Sequence, residues 1–363
     1  MHAKSSGIRV DSATPPTNTA AVYPAGQSKQ PADKSRLDGW PISFGRLRAK
    51  CHLSVAKYKW LLSLDRSWSL QEHGGSTMSS QMWKLVYRTI RMVNRSIPQE
   101  GRRPTYGDTL MVGMYLWAVG HDRPMSWAAE RSNYTSVFRP RRLPSRSQFC
   151  RRIKSSRCQR LLEEVNARLA RGQGASLGLR MLDGRAFPVG RYTKDADAKT
   201  GYVPGGYMKG YKLHGLATED GRFPHFRVTS LNESEKTLAR EIIEEARPQG
   251  ILLADQGYES GALYDFAMER GTLLFTPLFR NAGGGHRPQS EARLLAKRIW
   301  DNGGEVLYAR RDAIERHFGQ LSSFGGGLAP LPAWVRTLPR VRRWIAAKII
   351  IYHARLGCRK SVA

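Results

Sequence analysis

The sequence predicts an α/β fold built on a mixed sheet. After residue 175, short β-rich runs alternate with helical runs, in the order strand, hairpin, helix, strand, helix, strand, helix. A hairpin requires antiparallel pairing, whereas helices that connect strands favour parallel pairing. A chain with both kinds of connection is therefore expected to form one mixed sheet flanked by helices.

Each element of this region follows from a local pattern. LGLRMLDGRAFPVG predicts a strand that reaches Asp183, and ILLAD predicts a buried strand that ends at Asp255. YKLHGLAT and FRVTSL flank the turn EDGR and predict a hairpin. SEKTLAREIIEEA predicts a helix that begins at Asn232 or Ser234, and GALYDFAMERG predicts a helix closed by Gly271. TLLFTPL predicts another strand, residues 281–288 a mobile loop, and VRRWIAAKIIIYHARL a closing helix.

The residues before this region differ from it in composition and in sequence pattern. Residues 1–40 are rich in Pro, Ser, Thr, Ala and Gly, which predicts a disordered leader. Residues 41–160 are basic and helical in pattern, and we interpret them as a DNA-binding region, followed by a catalytic domain over 175–356. Between residues 104 and 160, the pattern predicts three short helices that resemble a helix-turn-helix: YGDTLMVGMYLWAVG, then SWAAERSN, then SRSQFCRRIKSSR. The alternative is a solvated basic helix packed on the catalytic domain.

The last of these short helices carries the basic residues that would face phosphates or base edges. They are Arg146, Arg151, Arg152 and Lys154.

Charge indicates a polyanionic partner. The 363 residues include 59 Lys and Arg against 30 Asp and Glu, a net charge of +29, and the basic residues lie along the whole chain. Such an excess repels itself unless phosphates neutralise it, so we expect double-stranded DNA as the partner. No apolar run reaches the length of a membrane span, so we expect no membrane partner and a cytoplasmic, nucleoid-associated protein. The four scattered cysteines favour neither structural zinc nor disulfides.

Two aspartates stand where apolar strands are expected to end. Asp183 and Asp255 would share one edge of the sheet if their strands run parallel. Carboxylate oxygens are the ligands that Mg²⁺ prefers, and phosphoryl transfer between DNA strands uses two such ions about 4 Å apart. Taken singly, Asp183-Gly184 could be an ordinary turn, and Asp255 could cap the loop that follows it.

A third carboxylate lies on a helix with an unusual polar stripe. In LYARRDAIERHFGQL, Tyr308, Arg311 and Glu315 stand at i, i+3 and i+7, on one helical face. A face turned to the core should be apolar, so this stripe indicates a functional role. A solvated row of ion pairs is the alternative.

The spacing of Tyr308, Arg311 and Glu315 resembles the helix signature of the IS4-type DDE transposases. LDGR around Asp183 and LADQGYES around Asp255 look like the two aspartate motifs of that family, and KGYKLH looks like the segment between them. The resemblance covers residues 177–320 and implies a ribonuclease H-like fold. It also implies cut-and-join DNA transposition after binding of the terminal inverted repeats of an insertion-sequence element.

The resemblance assigns roles to individual residues. Asp183, Asp255 and Glu315 would be the catalytic residues and would hold two Mg²⁺ or Mn²⁺ ions, while Tyr308 and Arg311 would hold DNA near the scissile phosphate. Lys209 and Lys212 could clamp a phosphate as point charges. Proteins of this kind act as paired protomers, so self-association on DNA is also expected.

One position departs from the signature. The family places a lysine after six further residues beyond the glutamate, and this chain has Ser322 there. The DNA contact at that position is either missing or made by another basic residue. Two other functions stay open: a non-catalytic DNA-binding regulator or degenerate transposase, and a ribonuclease H-like nuclease that does not transfer strands.

Overall fold

The computed structural model describes residues 78–99, 101, 104–171, 178–279, 290–328 and 330–360. All of them belong to one compact unit that spans residues 74–363. The expected leader over residues 1–40, the start of the basic helical region and the expected loop over 281–288 lie outside the described residues.

Among the described residues, four helices precede the sheet: α1 (Ser80–Ser96), α2 (Asp108–Gly120), α3 (Arg146–Arg152) and α4 (Ser156–Ala170). Serine side chains cap three of them, at Ser79, Ser145 and Ser155. The α2 helix is apolar on every side, and all its residues from Met111 onward are buried. It is therefore a core helix of the unit.

The segment SWAAERSN, expected to be a helix, forms two three-residue 3₁₀ turns instead, Trp127–Ala129 and Arg131–Asn133. The side-chain amide of Asn133 donates to the Trp127 carbonyl at 2.7 Å, which closes the segment within about two turns. The third expected helix is also divided, because α3 ends at Arg152 and α4 begins at Ser156.

The sheet has six strands: β1 (Leu179–Pro188), β2 (Lys199–Val203), β3 (Gly206–Thr218), β4 (His225–Ser230), β5 (Gly250–Ala254) and β6 (Thr272–Phe275). Its order is β2-β3-β1-β5-β6, and β4 also pairs with β3. The β1–β3, β2–β3 and β3–β4 pairs are antiparallel, whereas β1–β5 and β5–β6 are parallel. The expected hairpin and the mixed sheet are both confirmed.

The first strand is longer than the sequence predicts. It does not end near Asp183 but continues to Pro188, because β3 stays paired with it through that residue. The parallel pairing with β5, in contrast, stops at Leu182. Asp183 therefore lies at the end of the β1–β5 ladder and in the middle of its own strand.

Six further helices follow in the part of the chain that the structure describes: α5 (Glu235–Ala246), α6 (Gly261–Met268), α7 (Glu291–Ile299), α8 (Glu305–Tyr308), α9 (Asp312–Ser322) and α10 (Leu338–Lys360). Ser234 caps α5, which agrees with one of the two predicted starts. A 3₁₀ turn, Ala309–Arg311, joins α8 to α9. None of the helices in the described part of the chain has the length and apolar character needed to cross a bilayer.

The closing helix α10 joins the two halves of the unit. It packs against α1, α2 and α4 and also against β4. Its Lys348 is fully buried and donates to the carbonyls of Val119 at 3.0 Å and Gly326 at 2.9 Å, and to Asp122. The helices that precede the sheet are thus fastened to the sheet through α10.

Candidate active site

Adjacent parallel strands deliver two aspartates to one edge of the sheet. Leu182 of β1 pairs with Ala254 of β5, and Asp183 and Asp255 are the next residues of the two chains. The carboxyl ends of parallel strands meet at one edge, so the two side chains start from neighbouring positions. The condition set by the sequence, that these strands run parallel, is met.

Backbone amides orient both carboxylates. Oδ1 of Asp183 accepts from the N–H of Gly184 at 2.7 Å, and Oδ1 of Asp255 accepts from the N–H of Gly257 at 2.8 Å. The other oxygen of each residue faces Arg311, whose Nη2 lies 3.0 Å from Asp183 Oδ2 and 4.0 Å from Asp255 Oδ2. One cation therefore lies between the two acids.

Burial and charge act in opposite directions at this cluster. Desolvation raises the pKa of Asp183, against the lowering effect of Arg311 and of the Gly184 amide. Desolvation opposes the charge on Arg311, but Asp183, Tyr308, Asp255 and Glu315 together raise its pKa. The Arg311 guanidinium thus stays charged, whereas burial disfavours the ionised form of the Asp183 carboxyl beside it.

Glu315 lies in the first turn of α9 and is exposed. It is near enough to Arg311 to help raise the pKa of that residue. The described residues contain no group of three or more His, Cys, Asp and Glu side chains placed to hold a metal ion. The structure thus joins the two aspartates through Arg311, and Glu315 interacts electrostatically with the same arginine.

Lys212 reaches the same edge from β3 and is held there by Glu235. Its Nζ donates to Glu235, the first residue of α5, and Asp183 and Asp255 partly offset the lowering of its pKa by burial. Gly184 makes room for this side chain, because a Cβ at that position would meet Cε of Lys212 at 2.3 Å. A glycine directly after the first aspartate therefore permits the lysine to lie across β1.

Two tyrosines complete the surroundings. Tyr308 is half-buried and packs its ring on Trp300, with centroids 5.3 Å apart. Tyr258 is buried at the turn after Asp255, and its hydroxyl has no hydrogen-bond partner in the described chain. Burial, followed by the charges of Asp183 and Asp255, raises the pKa of Tyr258. Its hydroxyl is therefore a proton donor close to both acids.

The other basic residues expected to bind DNA lie elsewhere. Lys209 lies three residues before Lys212, opposite Thr200 of β2, and in the described chain it forms no ion pair with the aspartates. Arg146, Arg151 and Lys154 are exposed at α3 and the turn after it. Arg152 instead donates to Asp108, which also accepts from Arg157 Nε at 2.7 Å. Its charge is therefore shared with a buried carboxylate.

Two residues near the aspartates were not singled out from the sequence. Glu235 lies in a helix start, where an acidic residue has an ordinary explanation. Arg185 is the last residue of the LDGR motif, and its Nη1 donates to the Phe318 carbonyl and to Ser322 of α9. The motif was a signal for Arg185, but only the fold shows that this arginine reaches α9.

The two aspartates suit hard divalent cations. Both present oxygen ligands, one oxygen of each is fixed by a backbone amide, and the other faces a positive group. A hydrated cation beside them would also offer the buried Tyr258 hydroxyl an acceptor. The residues present therefore fit a divalent ion held by Asp183 and Asp255.

Comparisons with known proteins bear on the domain that contains these residues, not on the individual side chains. Residues 175–352 match the protein family described as the transposase DDE domain, whose members typically use divalent metal. No curated protein and no solved structure gives a significant match to the chain. The matched segment contains the whole six-stranded sheet and both aspartates, and it extends into α10. Residues 175–352 are thus similar to a transposase DDE domain, and this similarity supports the function of a transposase in general terms.

Proposed function

We propose that this protein is an IS4-type transposase that binds the inverted repeats at the ends of its element, cleaves there and joins the freed 3′ ends to target DNA. The observation that carries the proposal is the pair formed by Asp183 and Asp255 around Arg311. Paired acids on neighbouring parallel strands, with a cation between them, suit phosphoryl transfer through bound metal. The family match over 175–352 agrees with this chemistry.

Asp183, Asp255 and Glu315 are proposed as the catalytic residues and as the ligands of two Mg²⁺ or Mn²⁺ ions. Such ions activate the attacking oxygen and stabilise the leaving oxygen. The backbone amides of Gly184 and Gly257 fix the two aspartates in advance of the reaction. Arg311 balances their charge and, together with Tyr308 and Lys212, is proposed to contact the DNA close to the cleaved bond.

DNA binding away from the aspartates is proposed for the α3 surface. A cavity of about 240 Å³ there is lined by five basic side chains and no acidic one: Arg123, Arg146, Lys154, Arg340 and Arg343. Trp334, which is 45% exposed, lies at the same cavity and offers a ring for stacking. Cations with an accessible aromatic ring suit a nucleic-acid strand. Lys209 and Arg151 are proposed as further phosphate contacts, and self-association on DNA belongs to the same proposal.

The proposal is tested by changing Asp183, Asp255 and Glu315 singly to Ala. Each change removes oxygen ligands that water replaces poorly, so Mg²⁺-dependent cleavage should fall by at least 100-fold, a loss of about 3 kcal/mol of transition-state stabilisation. DNA binding should survive, because removing an acid from a basic protein does not weaken its attraction to phosphate. Cleavage is measured on DNA that carries the ends of the element, and a strand-transfer assay with a pre-cut end excludes a simple nuclease.

Asp312→Ala is the matched control, since it removes an exposed acid from the first turn of the same helix as Glu315. This variant should cleave at the parental rate. If one of the three proposed ligands can be replaced with equally little effect, that residue is not part of the metal site. If all three can, the protein is a DNA-binding regulator and not an enzyme.

A further inference from the structure

Arg185 bridges the first strand and the helix that carries Glu315. Its Nη1 lies 2.8 Å from the carbonyl oxygen of Phe318 and 2.7 Å from Oγ of Ser322, at the end of α9. The Ser322 hydroxyl in turn donates to the same Phe318 carbonyl at 3.0 Å. The guanidinium is therefore held by two neutral oxygens at a fixed place beside α9.

In the described part of the chain, Arg185 has no carboxylate as its counterion. Within the described chain it forms no ion pair, whereas Arg157, Arg222, Arg293 and Arg311 each face a carboxylate. A partly buried arginine without a carboxylate is costly unless an external anion completes it.

The position of Arg185 points to the kind of anion. Side chains alternate along a strand, so Arg185 and Asp183, two residues apart on β1, leave the same face of the sheet. That face also receives α9, because Arg185 contacts Phe318 and Ser322 there. Ser322 is also where the chain departs from the family signature. A fixed cation beside the proposed site for DNA cleavage suits a backbone phosphate.

We propose that Arg185 binds a phosphate of the DNA strand next to the one that is cleaved, and that Ser322 orients it. This inference rests on the proposed function. The planar guanidinium has donors left after Nη1 is used, so it can hold a phosphate while it stays attached to α9. The neutral Ser322 hydroxyl orients the group without cancelling its charge.

A purely structural role for Arg185 makes different predictions. A cation at the carboxyl end of a helix stabilises the last carbonyl groups, so the arginine could serve only to brace α9 against β1. In that case a carboxylate at position 322 would strengthen the brace and leave DNA binding unaffected. If Arg185 binds phosphate, the same carboxylate would occupy its charge and weaken DNA binding.

The experiment therefore uses Ser322→Asp, with Ser323→Asp as its matched control. Ser323 is exposed on the next residue and its hydroxyl contacts Gln320, not Arg185. Affinity for a short random-sequence duplex is measured across a salt series, and thermal unfolding is measured on the same samples. Arg185→Met and Arg185→Lys complete the set, since Met removes the charge and Lys keeps it.

The proposal predicts that Ser322→Asp and Arg185→Met each lower the slope of log affinity against log salt by about one, the release of one counterion. Ser323→Asp and Arg185→Lys should keep the parental slope. If Ser322→Asp matches its control in affinity and slope, Arg185 is a brace, and the inference is overturned even where Arg185→Met does not fold. A parent protein that binds no duplex contradicts the proposed function as well, whereas unchanged slopes in the variants contradict the inference alone.

Discussion

Arg311 Nη2 lies 3.0 Å from Oδ2 of Asp183 and 4.0 Å from Oδ2 of Asp255, so one protein cation serves two carboxylates. The side chains of Asp183 and Arg311 are only 17% and 14% exposed, which limits how far water can screen the interaction. The guanidinium therefore stabilises the ionised acids, and it competes with any other cation for the same oxygens.

This competition predicts opposite effects of Arg311→Gln on metal binding and on cleavage. Without the guanidinium, the two aspartates lose the cation that lies within ion-pair distance of both, so the apparent affinity for Mn²⁺ should rise by about tenfold or more. Cleavage should fall at saturating metal, because the contact with DNA is lost. Calorimetric titration with Mn²⁺ and a cleavage assay provide the two measurements.

Arg310→Gln is the control for Arg311→Gln, because Arg310 is exposed and pairs with Glu219 at 3.6 Å, away from the aspartates. Arg310→Gln should change neither the apparent affinity for Mn²⁺ nor the rate of cleavage appreciably. Weaker Mn²⁺ binding by Arg311→Gln would show that the arginine supports the metal site instead of competing with it.

The pairing of Asp183 and Asp255 could be predicted because the end of a strand can be recognised from the local sequence. Apolar runs before Asp183 and Asp255 predict strands, and parallel pairing brings their ends together whatever the details of packing. The sequence could not show that Arg311 lies between them, since helical spacing gives a face but not the direction of that face. Nor could it show that β1 continues beyond Asp183, because the cause is its antiparallel partner β3.

Gly184 is predicted to be required for the position of Lys212. A Cβ there would lie 2.3 Å from Lys212 Cε, so Gly184→Ala should displace the lysine from Glu235 and the aspartates. Cleavage should fall about as far as in Lys212→Ala, and the double variant should be no worse than either single one. Cleavage rates of the three variants test this dependence.

Gly319→Ala is the matched control for the glycine, since a Cβ there meets no atom within 4 Å on the exposed side of α9. It should leave cleavage intact and raise helix stability by up to about 1 kcal/mol. If the loss of cleavage in the double variant Gly184→Ala/Lys212→Ala equals the sum of the two single losses in free energy, Gly184 and Lys212 act independently. The sequence motif LDGR gave no sign of this dependence, because Lys212 comes from another strand.

Neighbouring arginines on α3 are predicted to behave differently. Arg151 is exposed, so Arg151→Ala should weaken DNA binding by about one phosphate contact and leave thermal stability unchanged. Arg152 pairs with Asp108, which is 4% exposed, so Arg152→Ala should destabilise the fold by about 1 to 3 kcal/mol. Arg157 still pairs with that carboxylate, which limits the loss.

Duplex binding and urea unfolding of both variants check the difference between Arg151 and Arg152. Equal losses of stability would mean that the Asp108 ion pair contributes nothing. Helical periodicity placed both arginines on one short basic helix, but the partner of Arg152 is a helix start 44 positions earlier. A local sequence pattern cannot show a contact between residues so far apart in the chain. Arg151 and Arg152 therefore looked equivalent in the sequence.

Acid is predicted to destabilise the protein through its buried histidines. The backbone N–H of Phe223 donates to Nε2 of His353 at 2.9 Å, so that nitrogen carries no proton in the folded chain. Burial lowers the pKa of His353 from 6.5 to about 3, and burial lowers that of His214 to about 4. Both rings are fully buried, and a proton on either would cost its hydrogen bond or its desolvation.

The direction of this pH effect on stability follows from which state, folded or unfolded, binds the proton. Below pH 6.5 these histidines bind protons in the unfolded chain but not in the folded one. Their contribution to the free energy of unfolding is therefore fully present above pH 6.5 and is lost as the pH falls towards 3. Each of the two histidines should contribute a slope approaching about 1.4 kcal/mol per pH unit. His353→Gln keeps an acceptor for Phe223 but does not titrate. Its free energy of unfolding in urea should therefore fall less steeply than that of the parent between pH 6.5 and 5. Two parallel curves would show that folding does not change the pKa of His353.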